Sequence, residues 1–425
     1  MRFFLLLTVL LCSVSAVSSQ VTWDKEYDKY LFPIETTDPN VATNDDLIII
    51  DNVLGGRQIV ALGEATHGTK EFVTTRHRLI KRLITEHGFR VFVMEDDFTS
   101  SLEIDQLLTG EVDGDITKVI SKNWMGAWRN KEMVSILNWI KEFNKNREKE
   151  EMVRVYGCDM TWYSFAAKKM LSELRVNNLL SRDIEIGLVS LMKYDRRKKM
   201  KKSQKQTINK MLDLLQTLFS DLDIENNKQL GKLNIMSKTL VQSLDYYSSK
   251  GFMKTIKRDK YMAENCKYIF QLEKHKKMII WGHNQHIANK SDNSAKPPMG
   301  SYLKKQFVDK YYALGFAFFK GEFTTYNPTE RKSMACPAGE PNVNCVDVAF
   351  ADAQYPNFFI DFMNPIVLKH MPNLLVKKVL SRSGGALYFP VDDNRNYRKH
   401  ILSKSYDGLI FIRNSTATTL IPSSN

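Results

Sequence analysis

The sequence predicts an α/β protein: a mainly parallel sheet flanked by helices, with an all-helical insertion. Three observations predict it. Short apolar runs at Ile59–Ala61, Arg90–Met94, Val153–Tyr156 and Met278–Trp281 read as buried strands. Helical periodicity separates them, the alternation that builds parallel sheets. Between about 165 and 270 the strand pattern disappears, proline is absent, and apolar residues recur at helical spacing, as in Met211, Leu212, Leu215 and Leu218, then Leu240, Leu244 and Tyr247. The expected division is a leader over 1–19, one α/β domain in two parts over 20–164 and 271–425, and the insertion over 165–270.

The amino terminus has Arg2, an apolar core Phe3–Leu11, and small residues at Val14, Ala16 and Ser19. This is the pattern of a cleavable secretory signal, and the run is too short to span a bilayer. A secreted or periplasmic protein without stable membrane insertion is expected. A helix is expected near Asp45–Val53, capped by Asn44, with Leu47, Ile48 and Val53 facing inward. The first strand then runs into Gly63-Glu64-Ala65-Thr66-His67-Gly68. A helix follows from Lys70 to about His87, striped by Phe72, Leu79, Ile80 and Leu83 and stopped by Gly88. Arg76 lies on this helix, two and a half turns beyond His67, and reaches a site there only if the helix start packs over it.

The second strand ends at Glu95. A helix and loop carrying Trp124, Trp128 and Asn130 follow. The third strand ends at Cys158-Asp159. After the insertion, the fourth strand ends in Gly282-His283-Asn284-Gln285-His286, and a loop leads to Met299. An apolar run, Tyr311–Phe319, and a last strand, Gly408–Arg413, complete the sheet.

The formal charge is +13, and its densest stretch is Arg196-Arg197-Lys198-Lys199-Met200-Lys201-Lys202. A nucleic-acid site would interleave aromatics, and this run has none, so no nucleic-acid partner is expected. A solvated turn between two helices is the plain reading; attraction to anionic surfaces is the alternative. An oxidising compartment would permit a Cys336–Cys345 disulfide across a Pro/Gly/Asn-rich loop, with Cys158 and Cys266 left as buried thiols. Asn289-Lys290-Ser291 and Asn414-Ser415-Thr416 are glycosylation sequons, usable in a eukaryotic source.

Parallel strands place their carboxyl ends on one edge, where open α/β sheets put their chemistry. Glu64 and His67, Glu95, Asp159, His283 and His286 all sit at such ends and are expected to converge. Carboxylates beside imidazoles suit proton transfer near neutral pH. No Gly-x-Ser-x-Gly elbow and no suitably placed cysteine supplies a nucleophile, so activation of water by His67 is the simplest chemistry. Two alternatives stand beside it. Glu64, His67, Glu95, His283 and His286 are also competent zinc or iron ligands; the second alternative is that these groups only satisfy one another.

Gly63–Thr69 with Glu71-Phe72 and Arg76, Gly88-Phe89 ahead of Glu95, Trp128 with Asn130, and Tyr156–Asp159 form an ordered set. Arg258-Asp259 with Met262-Ala263 and Asn265, Trp281–His286, Met299-Gly300 and Tyr406–Ile410 extend it. The set resembles the erythromycin esterase family over nearly the whole chain after the leader. The resemblance implies hydrolysis of a small-molecule ester, such as a macrolide lactone, with no required cofactor, although a divalent metal has been argued for some members. The alternatives on the same scaffold are a metal-dependent hydrolase and a catalytically weak protein that binds a small molecule or a metal. The resemblance also implies His67 as general base, Glu64 orienting it, Arg76 and Glu95 completing the polar site, and His283 and His286 on the opposite wall. Trp124, Trp128, Asn130, Asp159 and Met299 are the expected substrate-binding positions.

Overall fold

The structure is a computed structural model that describes residues 21–291, 295–390 and 393–422; the leader expected at 1–19 lies outside them. The strands are β1 (Phe32–Pro33), β2 (Ile59–Leu62), β3 (Val91–Asp97), β4 (Arg154–Asp159), β5 (Met278–Trp281), β6 (Tyr311–Asn327), β7 (Lys332–Pro337), β8 (Asn357–Asp361), β9 (Val379–Arg382), β10 (Tyr397–His400) and β11 (Gly408–Ser415). Nine form one sheet in the order β1–β8–β11–β6–β2–β5–β3–β4, with β7 paired to β6. The six strands from β11 to β4 are parallel. The departure from a purely parallel sheet is at one edge, where β8 and β1 run antiparallel, and in the β6–β7 hairpin.

Every residue of β2 is buried because both faces of the sheet are covered. Ile59 and Ala61 enter one hydrophobic core, while Val60 and Leu62 enter the other, as the two-residue strand period requires. The second core is closed by α1 (Ile48–Gly55), α2 (Lys70–Thr85), α3 (Phe98–Leu108), α4 (Ile116–Asn123) and α5 (Lys131–Asn144). Between β4 and β5 come α6 (Tyr163–Val176), α7 (Arg182–Met192), α8 (Lys202–Ser220), α9 (Lys228–Ser248) and α10 (Gly251–Leu272), with no strand among the described residues. Their apolar stripes do not form a separate core. Met170, Met211, Leu240, Met262 and Ile269 join Val91, Val93 and Ile280 of the sheet in the first one.

Two local expectations are corrected. Asn44 does not cap the first helix; its Oδ1 accepts from Arg78 Nε at 3.0 Å. Ile48 faces solvent, and Ile50 and Leu54 take the inward positions, because the helix starts later and the stripe is rotated. The Cys336–Cys345 disulfide is not formed, and Cys158, Cys266, Cys336 and Cys345 are all free and buried. Cys336 lies on β7 opposite Phe323, whereas the Cys345 thiol donates to Asp347 Oδ2 at 2.7 Å. The strand pairing and the carboxylate thus hold the two sulfurs to separate partners. Unfolding under non-reducing conditions should release four titratable thiols besides Cys12; a count of two would restore the bridge.

Candidate active site

The chemistry-bearing strand ends meet on one edge of the sheet. Gly63 and Gly68 bracket the loop after β2 because it packs against neighbouring backbone and side chains. A Cβ at Gly63 would lie 2.1 Å from Asn284 Oδ1, and one at Gly68 would lie 1.9 Å from the Thr324 carbonyl oxygen. The loop so held presents Glu64 and His67.

Glu64 is fully buried. Its Oε2 accepts from Arg76 Nη2 at 2.6 Å, and its Oε1 is 2.7 Å from His67 Nδ1. Arg76 therefore does reach the site from α2. Its guanidinium lies 3.5 Å from the Trp281 ring centroid, a cation–π contact that favours keeping the charge there. Burial works against a charge on Glu64, but Arg76 and the His67 hydrogen bond outweigh it and hold the carboxyl below its usual range. Glu64 is thus an acceptor, so His67 carries its proton on Nδ1 and donates it to Glu64. That leaves the Nε2 lone pair without a partner among the described residues. Burial also opposes charging of His67, yet the hydrogen bond and charge of Glu64, with Glu95 behind, raise its pKa above the usual value. The ring stands edge-on to Trp128 at 5.1 Å between centroids.

Glu95 is aimed by an irregularity in β3. The register with β4 shifts between Met94 and Asp97, the kind of bulge that re-aims a strand side chain. Glu95 Oε2 accepts from the backbone N–H of His283 at 2.7 Å, and Oε1 accepts from Arg258 Nη2 at 2.9 Å. Arg258, from α10, also donates through Nε and Nη2 to Asp159 Oδ2 at 3.0 and 2.8 Å. His286 lies between Asp259 Oδ1, 2.7 Å from its Nδ1, and Glu95 Oε1, 3.2 Å from its Nε2. Burial disfavours the imidazolium, but the two carboxylates outweigh it and push the pKa up to about 10. His286 is therefore a cation at neutral pH. Arg258 Nη1 stands 3.1 Å from the same Nε2; Glu95, Asp159 and Asp259 around the pair offset the repulsion.

His283 is different. Its Nε2 lies 2.9 Å from the Gly384 carbonyl oxygen and 3.2 Å from that of Ala65, while its Nδ1 accepts from Gln285 N–H at 3.2 Å. Burial and the nearby His67 lower its pKa to about 4. The ring is neutral and both nitrogens are engaged, and its Nε2 ties the β2 loop to the segment after β9.

Of the expected substrate-binding positions, Trp128 and Asp159 border this centre. Trp124 is wholly buried in the second core. Asn130 caps α5, with Oδ1 accepting from Met133 N–H at 2.8 Å. The Met299 side chain is buried, and its backbone N–H donates to Asp259 Oδ1 at 2.9 Å. Residues without an expected role are prominent: Arg258 and Asp259 from α10, and Asp96 and Asp97 beyond Glu95. Asp96 Oδ2 accepts from Met125 N–H at 3.0 Å, and Asp97 Oδ2 accepts from Trp162 N–H at 2.9 Å. These two carboxyls, pushed up by burial to about 8 and about 7, tether two loops beside the site.

Most of the candidate donor atoms are committed to protein partners. No group of three His, Cys, Asp or Glu among the described residues converges as ligands. The oxygens of Glu64 and Glu95 and both nitrogens of His283 point at protein partners, and the Arg258 guanidinium stands beside Glu95, where a cation would compete with it.

The erythromycin esterase family model matches residues 84–415, a span that begins after His67. Alignments to individual proteins are longer. The candidate hydrolase YbfO of Bacillus subtilis is 24% identical over 96% of this chain and 94% of its own length. Erythromycin esterase type II of Escherichia coli is 22% identical over 93% and 98% respectively. A solved structure from Bacillus cereus superposes with a TM-score of 0.77 at 23% identity, covering 94% of this chain and 98% of that one, and shares the fold. With the family model spanning most of its length, this chain belongs to the erythromycin esterase family, and that membership points to a hydrolase.

Proposed function

We propose that the protein hydrolyses a carboxylic ester with water activated by His67, and that a leader directs it to an extracytoplasmic compartment. The observation that carries the reaction is the Glu64–His67 pair: an ionised carboxylate fixes the proton on Nδ1 and leaves a basic Nε2 free of protein partners. In this reading Nε2 takes a proton from water as the water oxygen adds to the ester carbonyl carbon. The carbonyl oxygen becomes an oxyanion facing the positive wall of Arg258 and His286. Collapse breaks the carbon–oxygen bond to the alcohol, and the leaving alkoxide recovers the proton from His67. Ester and water give acid and alcohol, and the imidazole returns to its first state. A macrolide lactone is one ester of the kind the family name suggests. The test is hydrolysis of a panel of macrolide and simple esters with and without chelator. Turnover that survives chelation supports the reading; activity abolished by chelation and restored by zinc or manganese would replace it with a metal hydroxide.

The charges set the pH profile. His67 must be neutral to act, and its pKa is raised above 6.5, so kcat/KM should climb with pH through a midpoint above 6.5. His286 must be charged to stabilise an oxyanion, so activity should fall again near pH 10. An acid limb at or below pH 6 would show that Glu64 does not support the base in the way described.

A further inference from the structure

The basic run Arg196–Lys202 joins α7 to α8 close to the carboxyl end of β4. Arg196 Nη1 donates to Tyr247 Oη at 2.5 Å, and its guanidinium lies 5.1 Å from that ring's centroid. Tyr247 Oη in turn donates to the carbonyl of Thr161 at 2.8 Å, two residues beyond Asp159. Tyr246 stands edge-on to Tyr247 at 4.9 Å and within reach of the charges on Arg258 and Asp159. Lys254 completes the group. Its ammonium lies 4.5 Å and 4.9 Å from the centroids of Tyr246 and Tyr247. It is also one turn before Arg258 on the same face of α10.

These charges are not consumed locally. Asp195 is paired with Arg197 and Asp245 with Lys257, while neither Arg196 nor Lys254 meets a carboxylate among the described residues. Lys198, Lys199, Lys201 and Lys202 are exposed beside them. The floor of the site is nearly balanced: Glu64, Glu95, Asp159 and Asp259 face Arg76, Arg258 and His286. Its partly open side chains are His67, Arg258 and His286, at 14%, 21% and 16% exposure. The positive surplus therefore sits one step outward, on a rim of two tyrosines.

We propose that this aromatic, basic lip selects esters whose non-reacting part carries an oxyanion, a carboxylate or its equivalent, seated about one helical turn outward from Arg258. The inference rests on reading the site as an ester hydrolase. Two ring faces hold the Lys254 ammonium in place, and the surrounding charge raises the local concentration of anionic ligand. A neutral or cationic ester gains neither effect.

The test compares the full chain on three nitrophenyl esters of similar length: a hemisuccinate, a neutral butyrate, and a trimethylammonium analogue. At low ionic strength, about 20 mM, the anionic ester should exceed the neutral one in kcat/KM by about tenfold, with the cationic one lowest. About 500 mM salt should erase most of that ratio. The double variant Arg196→Gln, Lys254→Gln should collapse the anionic-to-neutral ratio at an unaltered thermal midpoint. Equal rates on all three esters, or a ratio that survives the double substitution, would overturn the lip. If no ester is turned over, the hydrolase reading fails, and the lip is tested separately by calorimetry with N-phenylsuccinamic acid. Saturable binding that the double variant loses supports it, and absence of binding overturns it.

Discussion

His67→Asn is expected to lower kcat by about 10²–10⁴-fold, the usual worth of a positioned general base, while leaving the fold intact. The side-chain amide can still donate to Glu64 Oε1 from near the position of Nδ1, so the buried carboxylate keeps a partner. What it cannot do is accept a proton where Nε2 stands. The loss should appear mainly in kcat, with the circular dichroism spectrum and unfolding midpoint close to those of the parent. An undiminished rate would show that His67 is not the base, and the water-activation mechanism would have to be abandoned.

Arg76→Met should produce the largest stability change. Arg76 and Glu64 are both at 0% side-chain exposure and 2.6 Å apart. Methionine keeps much of the apolar volume against Trp281 but leaves Glu64 charged and half-partnered in the interior. Breaking one side of a buried ion pair costs about 3–5 kcal/mol. Adding Glu64→Gln should recover a substantial part of that, because the uncompensated charge is then removed; the non-additivity is the diagnostic. Urea unfolding of the four proteins reads both numbers. A single-variant loss below about 1 kcal/mol would mean that water or His67 compensates Glu64 without Arg76.

The convergence of Glu64, His67, Glu95, Asp159, His283 and His286 was legible because a parallel sheet brings strand ends together whatever the loops do. Their individual duties were not. His283 and His286 are three residues apart on one loop, yet one is neutral and saturated while the other is a cation, a difference set by burial and the nearby His67 at His283 and by the carboxylates of Glu95 and Asp259, from distant segments, at His286. Asn130 and Met299 are near the centre in sequence pattern, but their polar contacts serve a helix cap and a backbone tether. Arg258 received no role because nothing inside a long helix marks which face meets the sheet edge. The signal was present in a weaker form: Arg258 heads the stripe Met262, Cys266 and Ile269, all buried, and a charge at the head of an apolar stripe points inward. The Cys336–Cys345 expectation failed for a related reason. Loop length alone does not show that one sulfur belongs to a hairpin strand and the other to a helix start.

Because the insertion has no core of its own, α10 acts as a lever whose far arm is the site wall. At 22 residues it is about 33 Å long. Its Ile269 end is clamped between sheet and helices, and its Lys254–Asp259 end carries Arg258 to Glu95. Arg258 lies about 16 Å along the helix from Ile269, so pivoting by about 3° at the clamped end would carry it through roughly 1 Å, a displacement on the scale that disrupts catalytic alignment. Substitutions in α8 and α9 that alter packing against α10 are therefore expected to change turnover of an ester without touching a reacting atom, read as a shift in kcat in a variant whose circular dichroism spectrum is that of the parent.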